Sequence, residues 1–595
     1  MSLRGALEVA VQAALEAGEI LRRDFHRPDG PRGHGDKADA DTEAEHVIRA
    51  RLAAAFPTYG YLGEETGRGE GAPGSPIWLV DPNDGTRDYL AGRRGSAVSI
   101  GLVHEGRPVL GVVFAFAYPD DDGDLFAWAE GTGPLRRNGR PVETRLPERL
   151  GPADVVLVSS KGDRDPEGNL RNSAPARYRS LASIAHRLAV VAAGEAAAAS
   201  SLFSPCAWDY GAGDALVRAV GGTVLDESGQ PVAYDRTGDS HARRAVGGAP
   251  DVAALLSRRP WDVHAGAWGA ERPARLRRGE AVADAARLAR AQGCLLGQVA
   301  GDSLGALVEF QSAAEVQRAY PEGPRRLADG GHWNLLAGQA TDDSEMALAL
   351  ARSIEDGGGY DPRRALEAYQ RWGASRPFDV GHTVSAALRG RPDDGSQANG
   401  SLMRASPLGV LAHRLSAREA AELGRIDSAL THPHPVCGDS VAAFVVALAH
   451  AIDRGDGGEA AHAAALQWAR QAPASAPVRL ALEAAAHGAP ECDGASRGWV
   501  LIALQNAFYE VRHAATVEEG VARTILRGGD TDTNAAIAGA LLGAVHGREG
   551  LPAQWRSMIL SCHPVPAVAA RPRPMAYWPV DVMELAERLL LAGER

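Results

Sequence analysis

The residue pattern of this chain changes near its middle, and this change limits the possible folds more than any other feature. Residues before about 256 alternate between helical and strand patterns, whereas residues after about 284 are helical almost throughout. Residues 257–283, between them, are polar, contain Pro and Gly, and have no sustained periodicity. The 595 residues also exceed what one hydrophobic core holds. The sequence therefore predicts an α/β domain over 1–256, a linker over 257–283 and an all-α domain over 284–595.

Charge and cysteine usage exclude several classes of protein. The net charge of −12 is spread along the chain, so binding to a nucleic-acid polymer or an anionic membrane, which needs clustered Lys and Arg, is not expected. No run of about 18 uncharged apolar residues predicts a membrane span. The five cysteines are far apart and form no CxxC pair, which predicts neither a disulfide framework nor a zinc site. A reducing cytoplasm is the simplest expectation.

Local patterns place several elements in the first half. The first 25 residues could pass for an export signal, but Glu8, Glu16 and Glu19 interrupt them, and their apolar residues recur at helical spacing, which predicts an amphipathic helix. Residues 96–117 contain two β-rich runs joined by a polar turn, which predicts a hairpin. The Ala-rich residues 182–199 predict a helix.

The most informative stretch of the first half is residues 77–89, IWLVDPNDGTRDY. An apolar strand ends at Asp81, Asp84 follows one turn later, and Gly85 and Thr86 begin a predicted helix. Two carboxylates at such a corner can face one hard cation, and the backbone N–H groups of the helix start can hold a phosphate. Asp-Pro and Asp-Gly are also common turn dipeptides, so this corner alone leaves a plain turn open. A calcium-binding EF-hand loop does not fit, because Gly85 stands at the wrong position.

Two further acidic segments extend this pattern. A Gly-Glu-Glu loop contains Glu64 and Glu65, and Trp208-Asp209 stands at the start of a predicted helix. The three motifs in this order resemble those of the inositol monophosphatase superfamily, which includes the 3′(2′),5′-bisphosphate nucleotidases. The resemblance covers residues 1–255 and implies a layered α+β sugar-phosphatase fold that hydrolyses phosphomonoesters.

The resemblance also implies roles for individual residues. Two or three Mg²⁺ ions would be bound by Glu64, Asp81, Asp84, Asp209 and the carbonyl of Asn83. Asp41 would support the third of these ions. Gly85 and Thr86 would seat the phosphate, Thr86 would orient the attacking water, and Glu65 would act as a base or support the ligands. Ala38 departs from the family, which usually has Thr three residues before the aspartate matched by Asp41. That departure puts the third metal in question.

The second half carries two acidic corners, each before a helical run. Thr341, Asp342 and Asp343 form the first, and residues 528–534, GGDTDTN, form the second. Helix capping explains one Asp or Thr at each corner but not five ligand-type residues in seven. The second corner imitates an EF-hand, yet Ala535 stands where that loop needs Gly. Upstream, glycines recur every four residues from Gly293 to Gly305, which predicts close helix packing.

Two more segments complete a family pattern in this half, namely residues 399–407, NGSLMRASP, and residues 431–435, THPHP. Together with the glycine helix and the two corners, they resemble the ADP-ribosylglycohydrolase family, including its dinitrogenase-reductase-activating type, over residues 285–595. The resemblance implies a pair of Mg²⁺ ions held by Thr341, Asp342, Asp343, Asp530, Asp532 and Thr533. Glu309 would handle the proton, and Asp379 is a further candidate for a catalytic carboxylate. The ADP-ribose cleft would be lined by Asn399, Gly400, Ser401 and His432, although a histidine such as His432 is otherwise more often structural.

The sequence thus predicts a bifunctional Mg²⁺-dependent hydrolase. One domain would cleave a phosphomonoester, either a nucleotide 3′(2′)-phosphate or an inositol or sugar phosphate. The other would hydrolyse an ADP-ribosyl C1″ bond on a small molecule or on a protein. In the main alternative only the glycohydrolase is active and the first domain is a ligand-binding sensor. A purely structural role is disfavoured because the ligand residues are retained.

Overall fold

The computed structural model describes residues 3–202, 204–261, 280–471 and 474–594. The chain divides into two compact units, Met1–Ala283 and Asp284–Arg595, here called the N-terminal and the C-terminal unit. Most of the predicted linker over 257–283 lies outside the described residues, which leave out 262–279. The linker and the domain bounds therefore stay predictions.

The N-terminal unit combines helices with sheets, which confirms the predicted α/β class. Its helices are α1 (Leu3–Phe25), α2 (Asp39–Ala55), α3 (Thr86–Leu90), α4 (Pro166–Ser173), α5 (Ile184–Ala192), α6 (Ala207–Ala219) and α7 (Pro250–Ser257). Its strands are β1 (Gly33–His34), β2 (Lys37–Ala38), β3 (Gly60–Gly63), β4 (Gly67–Gly69), β5 (Ile77–Asp84), β6 (Ala97–His104), β7 (Arg107–Ala115), β8 (Asp124–Ala129), β9 (Arg136–Arg137), β10 (Arg140–Pro141), β11 (Val155–Val158), β12 (Arg177–Ser180), β13 (Ala198–Ser201), β14 (Thr223–Leu225) and β15 (Ala245–Gly248).

The larger sheet of this unit has the strand order β10-β9-β8-β7-β6-β5-β3-β4. Its pairs are antiparallel except β3 with β5, so these two strands end at the same edge of the sheet. Alternate residues of β7 face opposite layers, as the period of two in a strand requires. Leu110 and Val112 share a core with α1 and α2, whereas a Cβ on Gly111 would lie 2.2 Å from the Ala212 carbonyl of α6.

The smaller sheet corrects one expectation from the sequence. Its order is β12-β11-β13-β15-β14, and β13 occupies part of the Ala-rich segment 182–199 that predicts one helix. The helix α5 ends at Ala192, and Ala198 and Ala199 pair with β11 on one side and β15 on the other. The prediction was wrong for this part because strand pairing on both sides outweighs the high helix propensity of alanine.

The C-terminal unit is helical, which confirms the predicted all-α class. Its helices are α8 (Ala285–Gly305), α9 (Ala313–Ala319), α10 (Asp342–Gly357), α11 (Pro362–Ala374), α12 (His382–Leu388), α13 (Ser406–Leu411), α14 (Ala417–Ala429), α15 (Pro435–Arg454), α16 (Gly458–Gln471), α17 (Ala476–Ala485), α18 (Val500–His513), α19 (Val517–Leu526), α20 (Thr531–His546), α21 (Ala553–Leu560) and α22 (Val582–Gly593). By length and composition α15 could cross a membrane, but most of this helix is buried within the protein.

Helices α8 and α20 lie in direct backbone contact. A Cβ on Gly297 would lie 2.1 Å from the carbonyl oxygen of Gly539, and one on Gly305 would lie 2.4 Å from the Cα of Asp532. Such distances exclude any side chain at these positions. The spacing of glycines every four residues in α8 therefore places the start of α20, with its acidic corner, against the end of α8.

Candidate active sites

In the N-terminal unit, strand β5 carries two of the predicted ligands past an irregularity in the sheet. The register of β5 against β6 shifts between Asp81 and Asp84, and such a bulge re-aims side chains that would otherwise alternate. Asp81 Oδ1 accepts a hydrogen bond of 2.8 Å from the N–H of Asn83, two residues later in the same corner. Asp84 Oδ2 accepts one of 2.8 Å from the Ala185 N–H and one from the Ser183 hydroxyl. Both carboxylates line one cavity of about 570 Å³.

The Glu64 loop reaches the same cavity because β3 runs parallel to β5. The N–H of Glu64 donates to the carbonyl of Val80 at 3.1 Å. Buried Glu45 of α2 holds the loop, since its carboxylate accepts from the N–H groups of Glu65 and Thr66 at 2.7 and 2.9 Å. Glu64 lines the cavity, whereas Glu65 Oε2 lies 3.3 Å from the Thr42 hydroxyl and is not part of the cavity wall.

Asp209 completes the cluster from the start of α6. One of its oxygens, Oδ2, accepts from the Cys206 N–H at 2.8 Å, and its side chain lines the cavity with the others. Burial, and then the charges of Glu64, Asp84 and Asp209, raise the pKa of Asp81 well above its usual range. Four acids held together in this way repel one another unless cations neutralise them, and carboxylate oxygens are the ligands that Mg²⁺ prefers. The donor set of this site therefore fits hard divalent cations.

Asp41 lies behind the cluster and contacts it through two neighbours. Its Oδ1 accepts from the Asn83 side-chain amide at 2.9 Å, and its Oδ2 lies 3.1 Å from the Thr86 hydroxyl. That hydroxyl is also 3.0 Å from the carbonyl of Asn83. Burial raises the pKa of Asp41 to about 7. Gly85, at φ 103°, makes the left-handed turn that leads into α3, and both Gly85 and Thr86 line the cavity.

In the C-terminal unit the two acidic corners meet. Asp343 Oδ2 lies 3.1 Å from the hydroxyl of Thr341 and 3.4 Å from that of Thr533, which stands 190 residues away in sequence. The other oxygen of Asp343 and Oδ1 of Asp532 are buried and have no hydrogen-bond partner among the described residues. Buried carboxylate oxygens that lack hydrogen-bond partners fit a cation ligand set.

Asp302 anchors the first corner, a role that the sequence did not reveal. This fully buried residue of α8 accepts from the Thr341 and Ser344 N–H groups, both at 3.1 Å, and lies 2.9 Å from the Thr341 hydroxyl. It thereby holds the start of α10 against α8. Its position between Gly301 and Gly305 in α8 was the one sign that Asp302 lies at a close helix contact. A single Asp carries no local pattern that identifies a partner 39 residues away.

Glu309 and Asp379 belong to the same cluster. Carboxylate oxygens of Glu309, Asp379 and Asp532 all lie within 4.8 Å of one another. The Trp333 indole N–H donates to Glu309 at 2.8 Å. Burial, and then the charge of Asp379, raise the pKa of Glu309 to about 8. Asp342 Oδ2 accepts from the N–H of Gly381 at 3.2 Å, which ties the Asp379 loop to the first corner.

The predicted cleft residues contact one another, and one of them, Asn399, contacts the second corner. The Asn399 side-chain amide donates to Asp530 at 2.7 Å, and the Ser428 hydroxyl donates to Ser401 at 2.9 Å. Gly400 faces His432 closely, since a Cβ there would lie 3.1 Å from the Nε2 atom of that ring. The two halves of the predicted cleft are therefore adjacent.

His432 is held by a buried chain of side chains that sequence reasoning missed. Arg404, which pairs with buried Asp427, donates from Nη1 to the Thr431 hydroxyl oxygen at 2.8 Å, and that hydroxyl lies 2.8 Å from His432 Nδ1. If the Thr431 hydroxyl donates this hydrogen bond to Nδ1, the proton of the neutral ring is on Nε2, which has no partner among the described residues. Burial and the charge of Arg404 lower the pKa of His432 to about 3, so the ring is neutral.

Comparisons with known proteins divide the chain at the same place. The family model "ADP-ribosylglycohydrolase" matches residues 283–594, and the model "Inositol monophosphatase family" matches residues 2–266.

Two curated relatives match one half each. An ADP-ribosyl-[dinitrogen reductase] glycohydrolase of Rhodospirillum rubrum is 32% identical over 282 residues, which is 45% of this chain and 90% of that protein. An inositol-1-monophosphatase of Mesorhizobium japonicum is 36% identical over 242 residues, which is 38% of this chain and 88% of that protein. A solved ADP-ribosylglycohydrolase-related protein is 26% identical and covers 51% of this chain and 99% of its own, with a TM-score of 0.42.

Proposed function

Because the chain belongs to the inositol monophosphatase family through its N-terminal unit and to the ADP-ribosylglycohydrolase family through its C-terminal unit, both hydrolase families, we propose that it is a bifunctional Mg²⁺-dependent hydrolase. One observation carries the proposal: each unit brings acidic and hydroxyl side chains from distant parts of its sequence into one site. Glu64 meets Asp209 in the first unit, and Asp343 meets Thr533 in the second. Five free cysteines support a reducing cytoplasm as its location.

In the N-terminal unit, Glu64, Asp81, Asp84, Asp209 and the Asn83 carbonyl would hold Mg²⁺. The bound ions would neutralise the phosphoryl oxygens and acidify the attacking water. The chain's own contribution is the pair of Asp41 and Thr86. Because Asp41 Oδ2 can accept the Thr86 proton, the hydroxyl oxygen is left as an acceptor that orients the attacking water and passes its proton toward Asp41. Glu65 would support the loop of Glu64.

In the C-terminal unit, Thr341, Asp342, Asp343, Asp530, Asp532 and Thr533 would hold a pair of Mg²⁺ ions, which would fix the ribose hydroxyls of an ADP-ribosyl group. Glu309 would manage the proton at the C1″ bond, because its raised pKa lets it both hold and release one near neutral pH. Asp379 beside it adds negative charge where the sugar becomes positive. Both acids lie close enough to Asp532 to act on one reacting group.

Substrate contacts would come from Asn399, Gly400, Ser401 and His432. A neutral His432 with its proton on Nε2 is a hydrogen-bond donor, and this suits an acceptor oxygen or nitrogen of ADP-ribose. The substrates are a small phosphoester for the first unit and an ADP-ribosylated small molecule or protein for the second. The relative that acts on dinitrogen reductase makes a protein substrate worth testing.

A second candidate function is that only the glycohydrolase is active and the N-terminal unit binds a ligand as a sensor. The observation that favours it is Ala38, which stands at the N-cap of α2 and makes no side-chain capping bond. Asp41 follows three residues later in that helix. A loose helix start there would weaken the support of Asp41 for Thr86 without removing any of the four clustered acids.

A substrate panel on matched variants tests the proposal. Asp84→Asn should lower phosphate release by about 10²-fold or more and leave ADP-ribose release unchanged, and Asp532→Asn should do the reverse. Phosphate and ADP-ribose are measured on wild type and both variants with inositol, sugar and nucleotide phosphates and with ADP-ribosylated arginine and serine peptides. A phosphorylated ADP-ribose is included in the panel to test whether one metabolite is a substrate of both units. If wild type releases no phosphate from any compound, the sensor alternative replaces the phosphatase.

A further inference from the structure

Aromatic side chains form a connected surface next to Glu309 in the C-terminal unit. Phe310 follows Glu309 directly in the chain, and the Trp333 indole N–H donates to the Glu309 carboxylate at 2.8 Å. The ring centroid of His332 lies 4.9 Å from that of Phe310 and 4.8 Å from that of Trp333. Phe378 extends the surface, because its ring centroid lies 5.6 Å from that of Trp333. These four side chains are called the aromatic rim below.

The rim is fixed in place and partly open to solvent. Phe310 is 49% exposed, and its φ of 67° lies in the left-handed region that bulky residues rarely adopt. Such strain persists only where the surrounding structure enforces it, and it is concentrated at functional sites. Trp333 stands in a loop that is closed by two backbone hydrogen bonds of 2.8 Å between Gly330 and Leu335. The rim therefore offers a preformed apolar surface, and its burial by a partner favours binding.

Two arginines lie over the rim with their charges unpaired. The Arg497 guanidinium is 5.8 Å from the centroid of the Phe310 ring, and that of Arg571 is 5.7 Å from the centroid of the Trp333 ring. Both arginines are exposed, and neither side chain forms an ion pair or a hydrogen bond with the residues that the structure describes. A guanidinium held over a ring keeps N–H groups available for a carboxylate.

The position of the rim beside Glu309 indicates which part of a substrate reaches it. A proton donor lies within hydrogen-bond distance of the group that it protonates, so the acceptor released from the C1″ bond would lie beside Glu309 and the rim. If that acceptor is a residue of a protein, the residues on either side of it would extend over the rim. Aromatic side chains and Arg are enriched at protein interfaces, and two unpaired guanidinium groups favour acidic side chains in the partner.

We propose that the aromatic rim, with Arg497 and Arg571, is a docking surface for a protein substrate that carries acidic side chains close to its ADP-ribosylated residue. The exposed rings bury apolar parts of the partner, and the two arginines pair with its carboxylates. This rests on the proposed glycohydrolase function and goes beyond it, because it selects a protein over a small molecule and states the charge around the modified residue.

The test compares two ADP-ribosylated peptides that differ only in the residues flanking the modified one, which are aspartates in one peptide and asparagines in the other. Each pair is prepared on arginine and on serine. The full chain with Mg²⁺ should show a kcat/KM about fivefold higher for the aspartate peptide, since exposed ion pairs each contribute little. In the double variant Arg497→Gln, Arg571→Gln this preference should disappear through a rise in KM, while the asparagine peptide changes by less than about twofold.

The apolar part of the surface is tested with Phe310→Ala. This variant should raise KM about threefold for both peptides and leave KM for the free ADP-ribosylated amino acid unchanged, because only a peptide reaches the ring. A rise in KM that is equal for the peptides and the free amino acid would contradict docking on Phe310.

The control for the arginines is the double variant Arg363→Gln, Arg418→Gln, which removes two exposed positive charges from α11 and α14 and should keep the preference. Wild type without a preference, or with activity on small conjugates but on neither peptide, overturns the docking surface and leaves the glycohydrolase in place. Weaker binding of free ADP-ribose by the Arg497 and Arg571 double variant also overturns it, because the two arginines would then hold the pyrophosphate.

If no compound releases ADP-ribose, the proposed glycohydrolase is refuted, and binding of the two labelled peptides decides about the surface. Fluorescence anisotropy is measured with wild type and with the Arg497 and Arg571 double variant. Tighter binding of the aspartate peptide by wild type alone supports the docking surface, and equal binding of both peptides by wild type overturns it.

Discussion

The N-terminal unit places Asp81, Asp84 and Glu64 at the ends of strands, with Asp209 added from a helix start, whereas the C-terminal unit places both of its acidic corners at the starts of helices. In the first, the parallel pair β3 and β5 brings Glu64 beside Asp81, and a bulge turns Asp84 into the same cavity. In the second, glycine contacts between α8 and α20 bring two helix starts together. The comparison teaches that one sequence signal, an acidic corner before a helix, depends on quite different packing for its geometry.

The difference predicts that the C-terminal site depends more on single anchoring residues. Asp302→Ala removes the acceptor for two backbone N–H groups and the Thr341 hydroxyl, which should cost about 3–4 kcal/mol and abolish ADP-ribose release. Phosphate release should not change. The thermal inactivation of ADP-ribose release and of phosphate release measures the loss of stability separately in the two units.

A matched control on the same helix is Asp284→Ala. Asp284 caps the start of α8 by accepting from the Arg287 N–H, so its loss should cost only about 1 kcal/mol. Full ADP-ribose release by the Asp302 variant would show that the first corner does not need this anchor.

Glycine contacts provide the next largest effect. Gly297→Ala puts a Cβ within 2.1 Å of the Gly539 carbonyl, so it should destabilise the C-terminal unit by about 3 kcal/mol. Gly5→Ala in α1, where a Cβ meets nothing within 4 Å, should be neutral or stabilise the N-terminal unit by about 0.5 kcal/mol. Heat inactivation of the two activities reports each change. Equal tolerance of both substitutions would remove the proposed dependence on close helix contact.

Metal removal should make both units sensitive to pH, with the same sign. Burial raises the pKa of Asp41 to about 7 and that of Glu309 to about 8. Since the native state then holds protons that the unfolded state has lost, stability without Mg²⁺ should be greatest below about pH 4 and fall steadily as the pH rises to 8. Mg²⁺ binds the ionised acids, so its stabilising effect should grow over this range.

Thermal unfolding of the full chain from pH 5 to 8, in EDTA and in Mg²⁺, gives the measurement. A Mg²⁺ effect that is constant with pH would show that cation binding is not coupled to the ionisation of Asp41 and Glu309. The pKa of Glu309 is higher than that of Asp41. The stabilisation by Mg²⁺ should therefore keep growing to a higher pH in the C-terminal unit than in the N-terminal unit.

The smallest effect concerns the orientation of His432. Thr431→Val removes the hydroxyl that contacts Nδ1, so the proton should no longer be confined to Nε2, and affinity for ADP-ribose should fall about fivefold, or about 1 kcal/mol. Thr431→Ser should restore it. Nitrogen NMR of the ring reports the tautomer directly, and an unchanged Nε2–H form in the valine variant would refute this role of Thr431.

Much of each site could be predicted from the sequence because the ligands stand in short local patterns. The corner from Asp81 to Thr86 indicates a strand end and a helix start in six letters; the helix begins at Thr86 as predicted, whereas the strand continues beyond Asp81 to Asp84. The fold classes and the two families are likewise confirmed. The roles of the individual site residues stay predictions.

What could not be predicted depends on partners far along the chain. Asp302 and Arg404 act through contacts with residues 39 and 27 positions away, and no local pattern marks such a partner. The strand β13 was missed for the same reason, since pairing with β11 and β15 decides its conformation. Likewise, Glu65 stands in the recognised loop beside Glu64, but only the structure shows that it faces Thr42.

The central claim is that each unit binds divalent cations in its own carboxylate cluster. Anomalous diffraction from crystals of the full chain grown with Mn²⁺ in place of Mg²⁺ tests it most directly. The account predicts one group of peaks within about 2.5 Å of oxygens of Asp81, Asp84 and Asp209, and another equally close to Asp343 and Asp532. Asp84→Asn should weaken only the first group. Peaks confined to one unit, or lying away from these oxygens, would contradict it.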